Sequence, residues 1–285
     1  MRILVTGTSG KIGSTIAEYL QSQHEIIGLD LVPGKFTTVY GDIADRVLVS
    51  KIMPGVEAII HTASLHAPHV ATHSEAEFIH TNVDGVRVLL DMAQKHGVTR
   101  FVYTSTTSVY GDAMVSPHCA VWVTEDLEPQ PRDIYDQTKL AAEALCRDAS
   151  IQHAIHCIVL RMSRCFPEPP HLMASYRLYR GVDARDVAQA HALALFKPEE
   201  HYRIYNISAL SPFQKEDLET LATNPEIVIQ KRCPMMILEF HRRGWPLPQR
   251  IDRVYVIDRA QKELGLVPKY GFAEYLVEYD SYSTK

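Results

Sequence analysis

The sequence predicts an α/β protein built on a doubly wound parallel sheet of Rossmann type, with a small C-terminal lobe on its substrate side. Three observations predict it. Short β-branched runs alternate with helical stretches, the first run passes directly into a glycine-rich turn, and that turn opens a helix. Each strand–helix–strand step implies a right-handed crossover, which makes the strands parallel and covers both sheet faces.

Residues 2–5 read as a strand, 12–21 as a helix, and 24–29 and 58–61 as two further strands. From 75 to 96, Phe78, Val83, Val86, Leu89, Leu90 and Ala93 recur at helical spacing and predict one helix. Residues 100–104 are strand-like, 135–149 helical and 156–161 strand-like. After residue 165 the rhythm changes, because Pro167, Pro169 and Pro170 break regular structure. A helix at 186–196, a strand at 203–207, a helix begun by Ser211-Pro212, and helical stretches at 258–264 and 271–279 follow.

The 285 residues are 46% apolar and 22% charged, with a formal net charge of −5 from 29 Lys and Arg against 34 Asp and Glu. These are globular values, and an acidic surface repels phosphate, so neither a disordered tail nor a nucleic-acid partner is expected. No apolar run reaches the roughly 18 residues of a bilayer span, so no membrane partner is expected either. Met1 to Gly7 lack the apolar length of a signal peptide, and Cys119, Cys146, Cys157, Cys165 and Cys233 form an odd set without C-x-x-C. They read as reduced thiols in a cytoplasmic protein.

Chemistry begins at Thr6-Gly7-Thr8-Ser9-Gly10-Lys11-Ile12-Gly13, a G-x-x-G-x-x-G loop between strand and helix. Its glycines allow a tight turn and a close approach of backbone to a pyrophosphate, whose charge meets the helix N-terminus. Gly7, Ser9, Gly10, Lys11, Ile12 and Gly13 are the candidate cofactor contacts. Further along, strand two ends in Asp30, whose carboxylate can accept hydrogen bonds from both adenosine ribose hydroxyls. It would repel a 2′-phosphate, so NAD is expected in preference to NADP. Lys11 dissents, since a cation in the loop tolerates extra phosphate. Asp42 and Ile43 follow the next short strand, within reach of an adenine edge, a plain turn being the other reading. The chain thus divides into a dinucleotide-binding part, residues 1–165, and a mainly substrate-side part, residues 166–285, with elements returning to the sheet.

Tyr135-Asp136-Gln137-Thr138-Lys139 is Y-x-x-x-K on a predicted helix, which puts phenol and ammonium on one face. The ammonium is expected to lower the tyrosine pKa, so that the phenol exchanges a proton with a substrate oxygen while hydride moves to or from a nicotinamide. The strand at 100–104 runs into Ser105-Thr106-Thr107-Ser108-Val109-Tyr110-Gly111, and C-terminal strand ends are where such sheets bind ligands.

With these motifs together, the chain resembles the extended short-chain dehydrogenase/reductases, the NAD-dependent epimerase/dehydratase family. The resemblance implies that Thr106, Tyr135 and Lys139 are catalytic, with Lys139 also binding the nicotinamide ribose, and that Thr62, Ala63 and Ser64 line the cofactor. Ser64, Thr106, Thr107, Tyr135 and Arg164 are the expected contacts of a small-molecule substrate. It also implies a homodimer through the helices at 75–96 and 135–149.

Sugar-nucleotide dehydratases of the family carry Asp-Glu after the catalytic Thr, where this chain has Thr107-Ser108, so dehydration is not expected and 4-epimerisation stays open. Arg161 to Pro169 is more like the R-x-x-x-C-x-P-E-P stretch of uronate dehydrogenases, and the short link beyond it favours a small substrate. The carboxylate-gripping Arg of those enzymes falls near Met173, with Arg177 and Arg180 the candidates to replace it. A non-catalytic NAD-sensing regulator is the remaining reading. His66, His69 and His73 are read as a polar loop with no metal, and Trp122 and Trp245 as packing in the C-terminal lobe.

Overall fold

Ile3, Leu4 and Val5 are all fully buried, as a strand covered on both faces requires. In the structure, a computed structural model describing residues 1–196 and 201–283, that strand is an interior strand of the main sheet. In chain order the elements are β1 (Arg2–Thr6), α1 (Lys11–Leu20), β2 (Glu25–Asp30), β3 (Val39–Tyr40), α2 (Arg46–Ile52), β4 (Ala58–His61), α3 (Glu75–Ile79), α4 (Gly85–His96), β5 (Arg100–Thr106) and β6 (Val121–Val123). Then come α5 (Ile134–His153), β7 (His156–Met162), α6 (Pro170–Tyr176), α7 (Ala184–Phe196), β8 (Tyr202–Ile207), α8 (Leu218–Thr223), α9 (Pro225–Arg232), α10 (Pro234–Arg243), β9 (Arg253–Tyr255) and α11 (Phe272–Ser283).

The main sheet has the order β3-β2-β1-β4-β5-β7-β8, and every pairing in it is parallel. Strand order reverses between β1 and β4, and ligands of such sheets bind outside the strand C-termini at that point. Ile3 and Val5 face one side, packed with α1 and α7, while Leu4 faces the other, packed with α2, α4 and α5. A separate core, with Phe213, Phe240, Ile251 and Val254, holds the C-terminal lobe. Trp245 belongs to it, 5.3 Å from both the Phe240 and Tyr279 rings.

The departures from the sequence reading have local causes. The expected helix at 75–96 is interrupted by a π turn, His80–Asp84, between α3 and α4. Such wide turns collect at functional sites, and this one carries the fully buried Asn82. No helix begins at Ser211-Pro212. A 3₁₀ turn, Lys215–Asp217, leads into α8, and its reciprocal Gln214–Asp217 capping places the start later. Helices α9 and α10, which the sequence reading did not anticipate, both begin with a proline in the first turn, where its missing N–H costs nothing. Strands β6 and β9, three residues each, form a second parallel pair too short to announce itself.

Candidate active site

The C-terminal ends of β1, β2, β4, β5 and β7 surround a cavity of about 910 Å³. The residues expected at the cofactor, the catalytic set and the expected substrate contacts line it: Gly7, Ser9 to Gly13, Asp30, Asp42, Ile43, Thr62 to Ser64, Thr106, Thr107, Tyr135, Lys139 and Arg164.

At one end lies the glycine loop. Gly7 has φ +76°, and a Cβ there would sit 2.7 Å from the Ala63 amide nitrogen. A Cβ on Gly13 would sit 2.1 Å from the Gly7 carbonyl oxygen, so the first turn of α1 can lie on the loop only without a side chain there. Gly10 caps α1 with no side-chain acceptor, and the first turn has no acidic residue, which leaves helix N–H groups for an anion. The Asp30 carboxylate accepts from the Ser9 N–H at 2.9 Å and the Val32 N–H at 3.1 Å, closing the loop onto β2. Leu31 and Val32, exposed and lining the cavity beside Asp30, were not anticipated; they offer an apolar slot and no cation for a 2′-phosphate. Asp42 accepts from the Ala44 N–H at 2.8 Å and pairs with His80 at 2.8 Å, so it shapes its turn as well as lining the cavity. Lys11 reaches across the crevice to the Cys165 carbonyl at 3.3 Å.

At the other end Thr106 finishes β5. Its hydroxyl oxygen accepts from the Ser108 N–H at 3.1 Å, and its side chain stands beside the Tyr135 phenol. Lys139, one helical turn along α5, is buried, donates to the Thr104 carbonyl at 2.7 Å and lies 4.4 Å from the centre of the Tyr103 ring. His191 sets that carbonyl's strand: its Nδ1 lies 2.8 Å from the Val187 carbonyl and so donates, leaving Nε2 to accept from the Thr104 hydroxyl at 2.7 Å.

The expected lowering of the tyrosine pKa by lysine is corrected here. Burial pushes Tyr135 up to about 12, against the pull of the neighbouring Thr106 hydroxyl. Burial also pushes Lys139 down to about 7, with Glu143 and Cys146 working the other way. A lysine with that pKa has lost its charge well before the phenol ionises, so it cannot draw the phenol's pKa down.

Two supporting residues were missed. Asn82 accepts from the Leu65 N–H at 2.9 Å and the Ser64 hydroxyl at 3.1 Å, and donates to the Leu65 carbonyl and Thr138 hydroxyl. It thereby ties the loop after β4 to α5. Glu143 accepts from Ser105 at 2.5 Å and from Arg161 at 3.0 and 2.6 Å. Its signal was legible, since Tyr135, Lys139 and Glu143 recur every four residues on one helical stripe.

Of the two arginines expected near the substrate, Arg180 lines the cavity. Arg177 is buried and paired with Asp183 at 2.9 Å.

Residues 3–174 match the family model of the NAD dependent epimerase/dehydratase family. The chain belongs to that family. A UDP-glucose 4-epimerase of Bacillus subtilis (strain 168) is 35% identical across 52% of this family member and 48% of the relative, so the chain spans about half the length of that relative. Among solved structures, a short-chain dehydrogenase/reductase superfamily protein from Agrobacterium tumefaciens with bound NAD superposes with a TM-score of 0.75 at 22% identity, covering 98% of this chain and 95% of that one. A mutated uronate dehydrogenase gives 0.69 at 19% identity, covering 98% and 86%.

Proposed function

We propose that this chain is an NAD-dependent oxidoreductase that moves a hydride between the nicotinamide and a hydroxyl or carbonyl carbon of a small sugar-like substrate. The observation that carries this reading is the Tyr135 phenol, with Thr106 and Lys139, opening into the same cavity as the glycine loop. The residues present fit NAD. Gly7 and Gly13 let the loop and the first turn of α1 pack where a Cβ would strike protein atoms, and the N–H groups left open there would hold the pyrophosphate. Asp30 would take the adenosine ribose, Asp42 and Ile43 the adenine edge, and Thr62, Ala63, Ser64 and Lys139 the nicotinamide riboside. NADP is disfavoured by Asp30 and its apolar neighbours.

Bound NAD supplies a ring that takes up or returns a hydride. Everything else belongs to the chain. Tyr135, kept as a neutral phenol by burial, is set to donate a proton to a carbonyl oxygen and, in the reverse direction, to recover it. Thr106 donates to the same substrate oxygen. Lys139 holds the strand end that carries Thr106 by bonding the Thr104 carbonyl. Ser64, Thr107 and Arg164 would complete the substrate wall. Among the described residues the carboxylates that line the cavity are Asp30 and Asp42, both at the glycine-loop end, which speaks against water loss as the reaction.

A second reading, a sugar-nucleotide epimerase with tightly held NAD, is favoured by a further cavity of about 530 Å³ that shares Arg180 with the first. It offers room for a nucleotide beyond the sugar. On either reading residues 1–165 serve the cofactor and 166–285 mainly the substrate, and α4 and α5, side by side on one sheet face, are the surfaces for a homodimer. No helix among the described residues is long and apolar enough to cross a membrane, and we place the enzyme in the cytoplasm.

The test is a panel of sugars, sugar acids and nucleotide sugars incubated with NAD and followed by NADH absorbance and product chromatography. Net NADH supports the dehydrogenase, redox-neutral conversion the epimerase, and no conversion of any member contradicts both.

A further inference from the structure

Charge is divided unevenly along the crevice. Asp30 and Asp42 are its lining carboxylates, while Arg132, Arg164, Arg180 and Arg253 line the remainder. Arg132 and Arg164 each have a carboxylate of their own, Asp136 and Glu168. Arg180 and Arg253 instead share one. Asp252 lies 2.5 Å from Nη2 of Arg253 and 3.9 Å from Nη1 of Arg180, so the trio keeps one positive charge.

Arg253 is the less satisfied of the two. Its Nη1 meets the Met114 sulfur at 3.3 Å, a weak acceptor, and its Nε is buried without a hydrogen-bond partner. Strand alternation explains how it gets there. Val254 points into the C-terminal core, so Arg253 and Tyr255, two residues apart, turn together toward the cavity. The Tyr255 hydroxyl reaches the same sulfur at 3.4 Å. A guanidinium taken out of water and left short of acceptors costs free energy that a ligand oxygen recovers.

We propose that Arg253, backed by Arg180, is the specificity-determining residue of this site, holding a single carboxylate on the sugar-like unit that Tyr135 acts on. One excess charge matches one carboxylate better than a dianionic phosphate, and a guanidinium matches its planar geometry. The inference rests on the functional reading above for the location of the reacting unit. The carboxylate can arrive on a free sugar acid or on a nucleotide sugar acid, and the arms of the test separate these.

The NAD-loaded protein and its Arg253→Met and Arg253→Lys variants are titrated calorimetrically with glucuronate against glucose, and with UDP-glucuronate against UDP-glucose. In at least one pair the acid is expected to bind about tenfold tighter or more, a preference lost in Arg253→Met and partly kept in Arg253→Lys. Equal binding of acid and neutral sugar in both pairs overturns the proposal, as does a preference that survives Arg253→Met. NAD affinity measured on each variant reports whether the fold is intact, and the charge-keeping lysine variant decides the matter if the methionine variant does not fold. If the acid is preferred through Arg253 but is never oxidised or epimerised, the redox reading fails while this one stands.

Discussion

At the glycine-loop end of the crevice, contacts for a ligand are prepared by backbone: Gly7 and Gly13 allow the loop and α1 to pack tightly, and the N-terminus of α1 is left open. At the Tyr135 end they are prepared by side chains gathered from β5, α5, the segment after β7, and β9, Lys139 being held by the Thr104 carbonyl and Arg253 set against Met114. The contrast teaches that an end made of consecutive backbone tolerates no added atoms, whereas an end made of gathered side chains can be retuned one residue at a time. Substitutions at the two ends should therefore fail differently.

The largest effect is expected at the side-chain end. Tyr135→Phe should lower turnover by about 10²- to 10⁴-fold while leaving NAD affinity within about twofold of the parent, because it removes a proton donor and little volume. Steady-state kinetics and calorimetry check the split. If affinity falls with turnover, the two ends are not separable. Gly13→Ala should instead abolish NAD binding and destabilise the fold by about 1–3 kcal/mol, read from denaturant midpoints, since the added methyl meets the Gly7 carbonyl. Asp30→Ala comes next. It should weaken NAD by roughly tenfold and NADP by less, narrowing the ratio between them.

The difference in construction also explains what the sequence could tell. The glycine loop and Asp30 lie within thirty residues of the N-terminus, and each acts through a local rule of turn, helix end or strand end, so both were legible. Y-x-x-x-K was legible because helical periodicity alone puts Tyr135 and Lys139 on one face. Arg253 was not, because it enters the crevice only through the three-residue pairing of β6 with β9 across more than a hundred residues of chain. Asn82 was hidden by a π turn inside what reads as one regular helix. The tyrosine pKa was misjudged for a related reason: spacing shows that an ammonium is near, but burial, which spacing does not show, decides whether it stays charged.

The smallest effect is a pH dependence that comes from that burial. Lys139 has a folded pKa of about 7, below its ordinary 10.5, so between those values the unfolded chain binds more protons than the native one. Its contribution to stability therefore rises with pH from about 7 upward and is most unfavourable below 7. Denaturation midpoints of the protein without added nucleotide should show this slope, and Lys139→Met should flatten it. An identical slope in the variant would mean that the lysine is not the group responsible.

Hydride transfer itself can be followed by isotope. The NAD-loaded protein, incubated with sugars, sugar acids and nucleotide sugars deuterated at their ring carbons, is quenched and its nicotinamide nucleotides weighed by mass spectrometry. Deuterium carried from carbon onto the nicotinamide is the expected result. A nucleotide pool that stays unlabelled across the whole panel would contradict the account.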